Sequence, residues 1–401
     1  MNNKNNILFG DRVLWVALAL LSIFSFLPVF SASSNLTYVV GQGTPWGYLL
    51  KHFVVLIFGF GLMYALHKTP YQYFKGISIL ALPLIILLLI YTASQGNIIA
   101  GANANRWIRI PIIGLSFQTS TLASIVLLAY VAHLMSKENP KLYRLKSSLL
   151  PLWLPVFIVV LLILPANLST AILLFFMVLI LVFLGGYPLK YLVGMLGTGL
   201  LMVILFVAIA KAYPDWVPNR IDTWINRIEN FNNEENSGGN YQIERAKTAI
   251  ATGGLLGLGA GKSVMKNFLP QSSSDFIYAI IVEEFGLVGG TALILLYLIV
   301  LFRIVVIAHK SDTIYGKLLV LGLGLPIVIQ AFVNMAVALQ VFPVTGQTLP
   351  LISSGGTAAW MTCISFGIIL SVSAGQKIEK NDSEESQNKN ENPLAILSEA
   401  L

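Results

Sequence analysis

Charge is what this sequence has least of. Asp, Glu, Lys and Arg make up 11% of its 401 residues, whereas 56% are hydrophobic. A soluble domain carries about a quarter charged residues, so a water-soluble globule is excluded. The length and the long apolar runs describe an all-α polytopic membrane protein with about ten transmembrane helices and one large loop. Cysteine is nearly absent. Cys363 stands alone in an apolar run, which rules out an internal disulfide and leaves no cysteine-based metal site. Histidine is also sparse. His52, His67, His133 and His309 fall near the ends of apolar runs and lack the spacing of metal ligands. A nucleotide-binding loop is missing as well. Residues 257–263 read Gly-Leu-Gly-Ala-Gly-Lys-Ser and end like one, but the first glycine of that pattern would fall on Leu256.

What is present is hydrophobic and periodically interrupted. Apolar spans are expected near 13–32, 48–66, 76–94, 115–135, 149–166, 169–186, 190–212, 276–302, 316–341 and 351–374. With the N-terminus inside, fifteen of the 25 Lys and Arg lie in cytoplasmic segments. Seven of the others sit in 211–266, mostly in a long loop, which the positive-inside rule weights lightly. Both termini are therefore expected in the cytoplasm, with loop 213–275 outside. The net charge of +7 marks this orientation and not a nucleic-acid surface. Residues 1–375 form one transmembrane domain, and the polar tail 376–401 reads as disordered and cytoplasmic. Within the outer loop, Arg220, Trp224, Arg227 and Phe231 share one face of a short amphipathic helix suited to the membrane interface.

Residues 269–290 organise the rest: Leu-Pro-Gln-Ser-Ser-Ser-Asp-Phe-Ile-Tyr-Ala-Ile-Ile-Val-Glu-Glu-Phe-Gly-Leu-Val-Gly-Gly. Asp275 closes a polar loop directly before an apolar helix. It reads either as a helix cap or as a carboxylate at the membrane surface that takes a proton from a bound hydroxyl. Glu283 and Glu284 lie deeper in the same helix, where acids must be paired or protonated. They read as braces between helices or as direct participants. Residues 241–263 carry five glycines, suited to a tight turn or to close approach of backbone to a ligand, and Lys262 offers a point charge to an anion. Arg106 and Arg109 flank Trp107, an arrangement that sets a ring in the interface and guanidinium groups near a phosphate. Residues 342–357, with two prolines, three glycines and five hydroxyls, break the helix at membrane depth. Broken backbone is tolerated there only in protein or along a cavity, so this stretch is a candidate site wall.

Taken together, these stretches resemble the SEDS (FtsW/RodA/SpoVE) family of membrane glycosyltransferases, over about residues 12–375. Residues 269–290 are similar to the family's Leu-Pro-Glu-x-x-x-Asp-Phe-Ile-Phe…Glu-Glu-Leu-Gly signature. Gly101–Trp107, Tyr241–Gly261 and Thr345–Gly356 are similar to three further family segments. The form Thr-Gly-Gln-Thr-Leu-Pro is most like the division-type (FtsW) branch. The resemblance implies polymerisation of lipid II into peptidoglycan strands at the outer face of the cytoplasmic membrane, for septal synthesis; an elongation-type polymerase and a lipid II flippase are the alternatives, with a scaffold that only recruits a partner as a third. It implies Asp275 as the catalytic carboxylate, with Arg106 foremost among the basic groups at the leaving pyrophosphate. Arg109, Gln242, Arg245, Lys262, Ser353, Gly355 and Gly356 become candidate substrate contacts, and Glu283, Glu284, Trp107 and Thr345 supporting residues. A class B penicillin-binding protein and other divisome proteins are the implied partners. No cofactor is required by any motif; the chemistry leaves room for a divalent cation, for which the sequence shows no ligand set. The chain departs from the family pattern at Thr121 and Ser124, where the family has Glu and Lys, at Asn167, where it has Asp, and at Arg245-Ala246, where it has Gln-Ser.

Overall fold

The computed structural model describes residues 10–40, 44–94, 98–99, 102–103, 107–110, 115–137, 144–212, 241–269 and 272–391. Its spans follow from composition. A backbone in hydrocarbon must satisfy its own polar groups, and a continuous apolar run does so only as a helix. Eight helices are long and apolar enough to cross a membrane: α1 (Arg12–Val40), α2 (Pro45–His67), α3 (Tyr73–Ser94), α5 (Leu145–Ile163), α7 (Leu189–Ala212), α9 (Ile277–Lys310), α10 (Ile314–Ala338) and α11 (Thr357–Glu391). Two shorter apolar helices, α4 (Thr119–Met135) and α6 (Leu168–Leu184), are 17 residues each, at the lower limit for a span. Each of the ten expected segments thus contains a helix. The remaining helix, α8 (Tyr241–Gly253), belongs to the large loop.

Capping chemistry sets several boundaries. Thr44 accepts from Gly47 N at 3.1 Å, with Pro45 opening α2. Asn167 accepts from Thr170 N at 3.3 Å and starts α6. Asp11 accepts from Leu14 N at 2.8 Å at the start of α1 and also pairs with Arg303 of α9. Three sequence expectations need correction. The fourth span begins at Thr119 because 115–118 form a strand, β4 (Leu115–Gln118), paired with β3 (Trp107–Ile110); a smaller pair, β1 (Ile98–Ile99) and β2 (Ala102–Asn103), precedes them. The tenth begins at Thr357, since the Gly355-Gly356 pair keeps the chain in a loop up to there. The helix then continues to Glu391, through part of the tail whose polarity suggested disorder; after Gly375 no Gly or Pro interrupts it. The amphipathic stretch 220–231 lies outside the described residues.

α10 and the first part of α11 are the most enclosed spans, and α7 is the least. α11 packs along α2, α9 against α10, and α8 against α9.

Candidate functional site

Asp275 sits in a turn over residues 272–276, half-buried. α9 begins two residues later, and its cap residue is Phe276, which puts no side chain on the first turn. Asp275 therefore lies one residue before the cap position. What holds this turn is the loop 342–356 on the far side of α10. Ser353 Oγ donates to Ser274 O (2.6 Å) and accepts from Leu349 N (2.8 Å). Ser354 donates to Ser273 O through both its N–H and its hydroxyl, each at 3.0 Å. Asn334, 1% exposed near the end of α10, donates through Nδ2 to Asp275 O and to Gln347 O, both at 2.7 Å. Gly346 has φ +68°, and the place a Cβ would take there lies 3.6 Å from Asp275 Oδ2. A left-handed glycine thus lays bare backbone beside the carboxylate.

A second layer fixes the helix that follows. α9 is broken at Gly286 (φ 68°, ψ −172°). The glycine-rich loop after α8 docks backbone to backbone across this break: Leu258 N and Gly259 N donate to Glu283 O and Glu284 O (both 2.9 Å), and Leu287 N donates to Gly254 O (2.9 Å). A Cβ on Gly253, Gly257 or Gly286 would come within 2.1–2.2 Å of the opposing backbone. Gly253 and Gly257 thus serve a close approach of backbone to backbone, where the sequence pointed to a turn or a ligand. The acids are buried braces. Glu283 accepts from Val264 N (2.9 Å), Met265 N (3.1 Å) and the Ser263 hydroxyl, holding the short 3₁₀ turn at Met265–Asn267. Glu284 accepts from the Ser31 hydroxyl of α1 and from Ser263 N at 3.3 Å. Lys266 Nζ donates to Ser31 Oγ (3.2 Å) and Gly261 O (2.8 Å). This arrangement keeps two acids buried by surrounding them with donors.

Behind loop 342–356 lies a cavity of about 100 Å³. Its polar lining is hydroxyl and amide, with Thr121, Ser124, Thr170, Gln330, Gln347 and Thr348 among the residues. None of its lining residues is charged. Thr121 and Ser124, two of the departures from the family pattern, donate to Gln118 O (2.8 Å) and Ser120 O (2.9 Å) of their own helix, so the charge pair is replaced by self-satisfied hydroxyls. Asn167, the third, caps α6 as an Asp would. Arg245, the fourth, lies over the rings of Tyr241 (4.9 Å) and Phe268 (5.6 Å).

The structure brings together Asp275, Ser353 and the Thr345–Gly356 loop. Gly355 lines the cavity, Gly356 has φ +51°, and Ser353 spends its hydroxyl inside the protein. Gln242 is half-buried on α8 and Lys262 is exposed. Arg106 lies outside the described residues; Trp107 and Arg109 are placed by backbone only, in β3 opposite Gln118 and Ser116. Sequence reasoning missed Asn334, Gln347 and Thr170. An Asn in a predominantly apolar 25-residue helix was the available signal.

A bundle of this topology, with an acid at a loop-bound helix start, defines a membrane protein of one family. The chain matches the family described as cell cycle protein (FtsW, RodA, SpoVE) over residues 11–378, and it belongs to that family. It is 30% identical over 372 residues to a protein of Geobacter sulfurreducens named "Probable peptidoglycan glycosyltransferase FtsW", covering 92% of this chain and 96% of that one. A Coxiella burnetii protein of the same name is 29% identical over 370 residues, covering 89% and 95%. Among solved structures, a chain from a peptidoglycan synthase complex described as coordinating polymerization and crosslinking has a TM-score of 0.71 at 25% identity, covering 92% of this chain and 98% of that one. The rod shape determining protein RodA of Thermus thermophilus has a TM-score of 0.65 at 25% identity, covering 92% and 97%.

Proposed function

We propose that this protein is a peptidoglycan glycosyltransferase that polymerises lipid II at the outer face of the cytoplasmic membrane, with Asp275 as its general base. The observation that carries the assignment of the base is the seating of Asp275: a half-buried carboxylate beside the bare backbone of Gly346, on a turn pinned through Asn334, Ser353 and Ser354. In this reading the carboxylate takes the proton of the acceptor sugar's 4-hydroxyl. The oxygen attacks the donor's anomeric carbon, and the bond to undecaprenyl pyrophosphate breaks with its electron pair leaving on the pyrophosphate. Positive charge there stabilises the leaving group; Arg245, Lys262 and the Arg106 loop are the candidates. Among the described residues no three His, Cys, Asp or Glu converge, so any divalent cation would draw its ligands chiefly from the pyrophosphate.

Division-type synthesis is favoured over elongation-type by the names of the relatives. A class B penicillin-binding protein is the proposed partner, which the likeness to a synthase complex supports. A flippase would need to carry a pyrophosphate past the bundle's interior, and an uncharged cavity wall gives that anion no counter-charge.

The test is glycan polymerisation from lipid II by the purified protein with its cognate penicillin-binding protein, with and without EDTA. Wild type should polymerise, and Asp275→Asn should lose at least about a hundredfold, the scale of a removed general base. Equal rates would remove Asp275 from the chemistry. Activity that survives EDTA and fails to rise with Mg²⁺ would set the cation aside.

A further inference from the structure

A second hollow lies outside the polar cavity and shares two of its residues. It is a groove of about 500 Å³ between the start of α6, the end of α10 and residues 342–347. Its walls are Ile172, Phe176, Val333 and Phe342 with their neighbours, and Ile172, Phe176 and Phe342 are each about half exposed (50, 51 and 50%). An apolar trough of that size on a lipid-facing surface needs a hydrocarbon occupant. The polar lining of the groove is Ser169, Thr345 and Gln347. The last two flank Gly346, where a Cβ would lie 3.6 Å from Asp275 Oδ2. Gln347 and Leu173 also line the polar cavity, and Gln347 Nε2 donates to Thr170 Oγ1 at 2.8 Å. The apolar groove is therefore bordered by the loop that passes the proposed base, an arrangement suited to an amphiphile whose head lies toward Asp275.

We infer that this groove seats the polyprenyl chain of one lipid-linked sugar substrate, and that Gln347 and Thr345 mark where chain gives way to head group. The inference rests on the proposed function for the identity of the head, and on the groove's own geometry for the chain. A phospholipid tail fits the same walls but gives no reason for the groove to border the loop that passes the carboxylate. A transmembrane helix of a partner protein is much wider than a single chain.

The experiment uses the full-length protein in vesicles of phosphatidylglycerol and phosphatidylethanolamine. A lipid II analogue carrying a diazirine on its chain is photo-crosslinked, and labelled peptides are mapped. Label is expected within 168–176 and 329–344, displaced by unlabelled lipid II and not by added phosphatidylglycerol. Displacement by phosphatidylglycerol, or label elsewhere, overturns the inference. Kinetics supply the second arm. Ile172→Trp, which fills the groove from an exposed position, should raise KM for undecaprenyl lipid II about tenfold, the scale of a mismatched apolar pocket. It should leave kcat, and KM for a short-chain analogue, within about twofold. Leu80→Trp, on the exposed face of α3, is the control and should change neither. Equal loss on both substrates, or loss only with the penicillin-binding protein present, would overturn the chain assignment. Failure of wild type to polymerise either substrate would sink the proposed function, while the crosslinking arm still decides the groove.

Discussion

Asn334 is the residue on which two backbone segments converge. Its Nδ2 donates to the carbonyls of Asp275 and Gln347, so Asn334→Leu takes a donor from two part-buried acceptors. A loss of about 2–4 kcal/mol is expected, read as a lower melting temperature in detergent together with lost polymerisation. Asn334→Asp keeps the shape but turns a carboxylate toward two carbonyl oxygens, and should fare no better. The adjacent acids predict an asymmetry. Both oxygens of Glu283 accept hydrogen bonds, so a glutamine must aim its NH₂ at a donor; Glu283→Gln should cost about 1–3 kcal/mol. Only Oε1 of Glu284 is partnered, its Oε2 being buried without a hydrogen bond. Glu284→Gln can put its NH₂ there and should melt within a few degrees of wild type. The reverse ranking would mean that the brace is built otherwise.

At the scale of elements, the clamp between the glycine-rich loop and α9 separates two kinds of glycine. Gly257→Ala and Gly286→Ala add a methyl 2.2 Å from opposing backbone on top of a positive φ; both should abolish folded protein in detergent. Gly261 also has a positive φ, but nothing lies within 4 Å of its missing Cβ. Gly261→Ala should cost only about 1 kcal/mol and remain folded by size-exclusion profile. This clamp also marks what was legible. The spans could be read because long apolar runs admit only helix in hydrocarbon, and Asp275, Glu283 and Glu284 stood out because acids in apolar runs are costly. The glycines were visible as well, but their partner was not: nothing in residues 253–262 announces that they lie against residues 283–288 of another helix. Asn334 and Gln347 escaped for the same reason, since their meaning comes from carbonyls far away in sequence. Local boundaries slipped where a strand at Leu115 or the glycine pair before Thr357 displaced a helix start, which hydropathy does not register.

For the whole molecule, orientation is the property that charge distribution argues and labelling can decide. Cys363 is 1% exposed, so the native chain has a silent background for thiol reagents. Lys262→Cys should react with a membrane-impermeant maleimide on intact spheroplasts, and Lys317→Cys only after lysis. The opposite pattern would turn the site toward the cytoplasm and end the proposed function. One further consequence follows from the break at Gly286. α9 has 34 residues, which as a straight rod would reach about 51 Å, well beyond a hydrocarbon layer of about 30 Å. A rigid rod of that length would carry every change in bilayer thickness or tilt to its outer end. Here the segment before the break, 277–285, is uncoupled from the span and moored to the loop, α1 and α10 instead. The height of the carboxylate is then set by the protein and not by the lipid, and turnover should stay within about twofold between thin and thick bilayers, where a straight α9 would make it a gauge of membrane thickness.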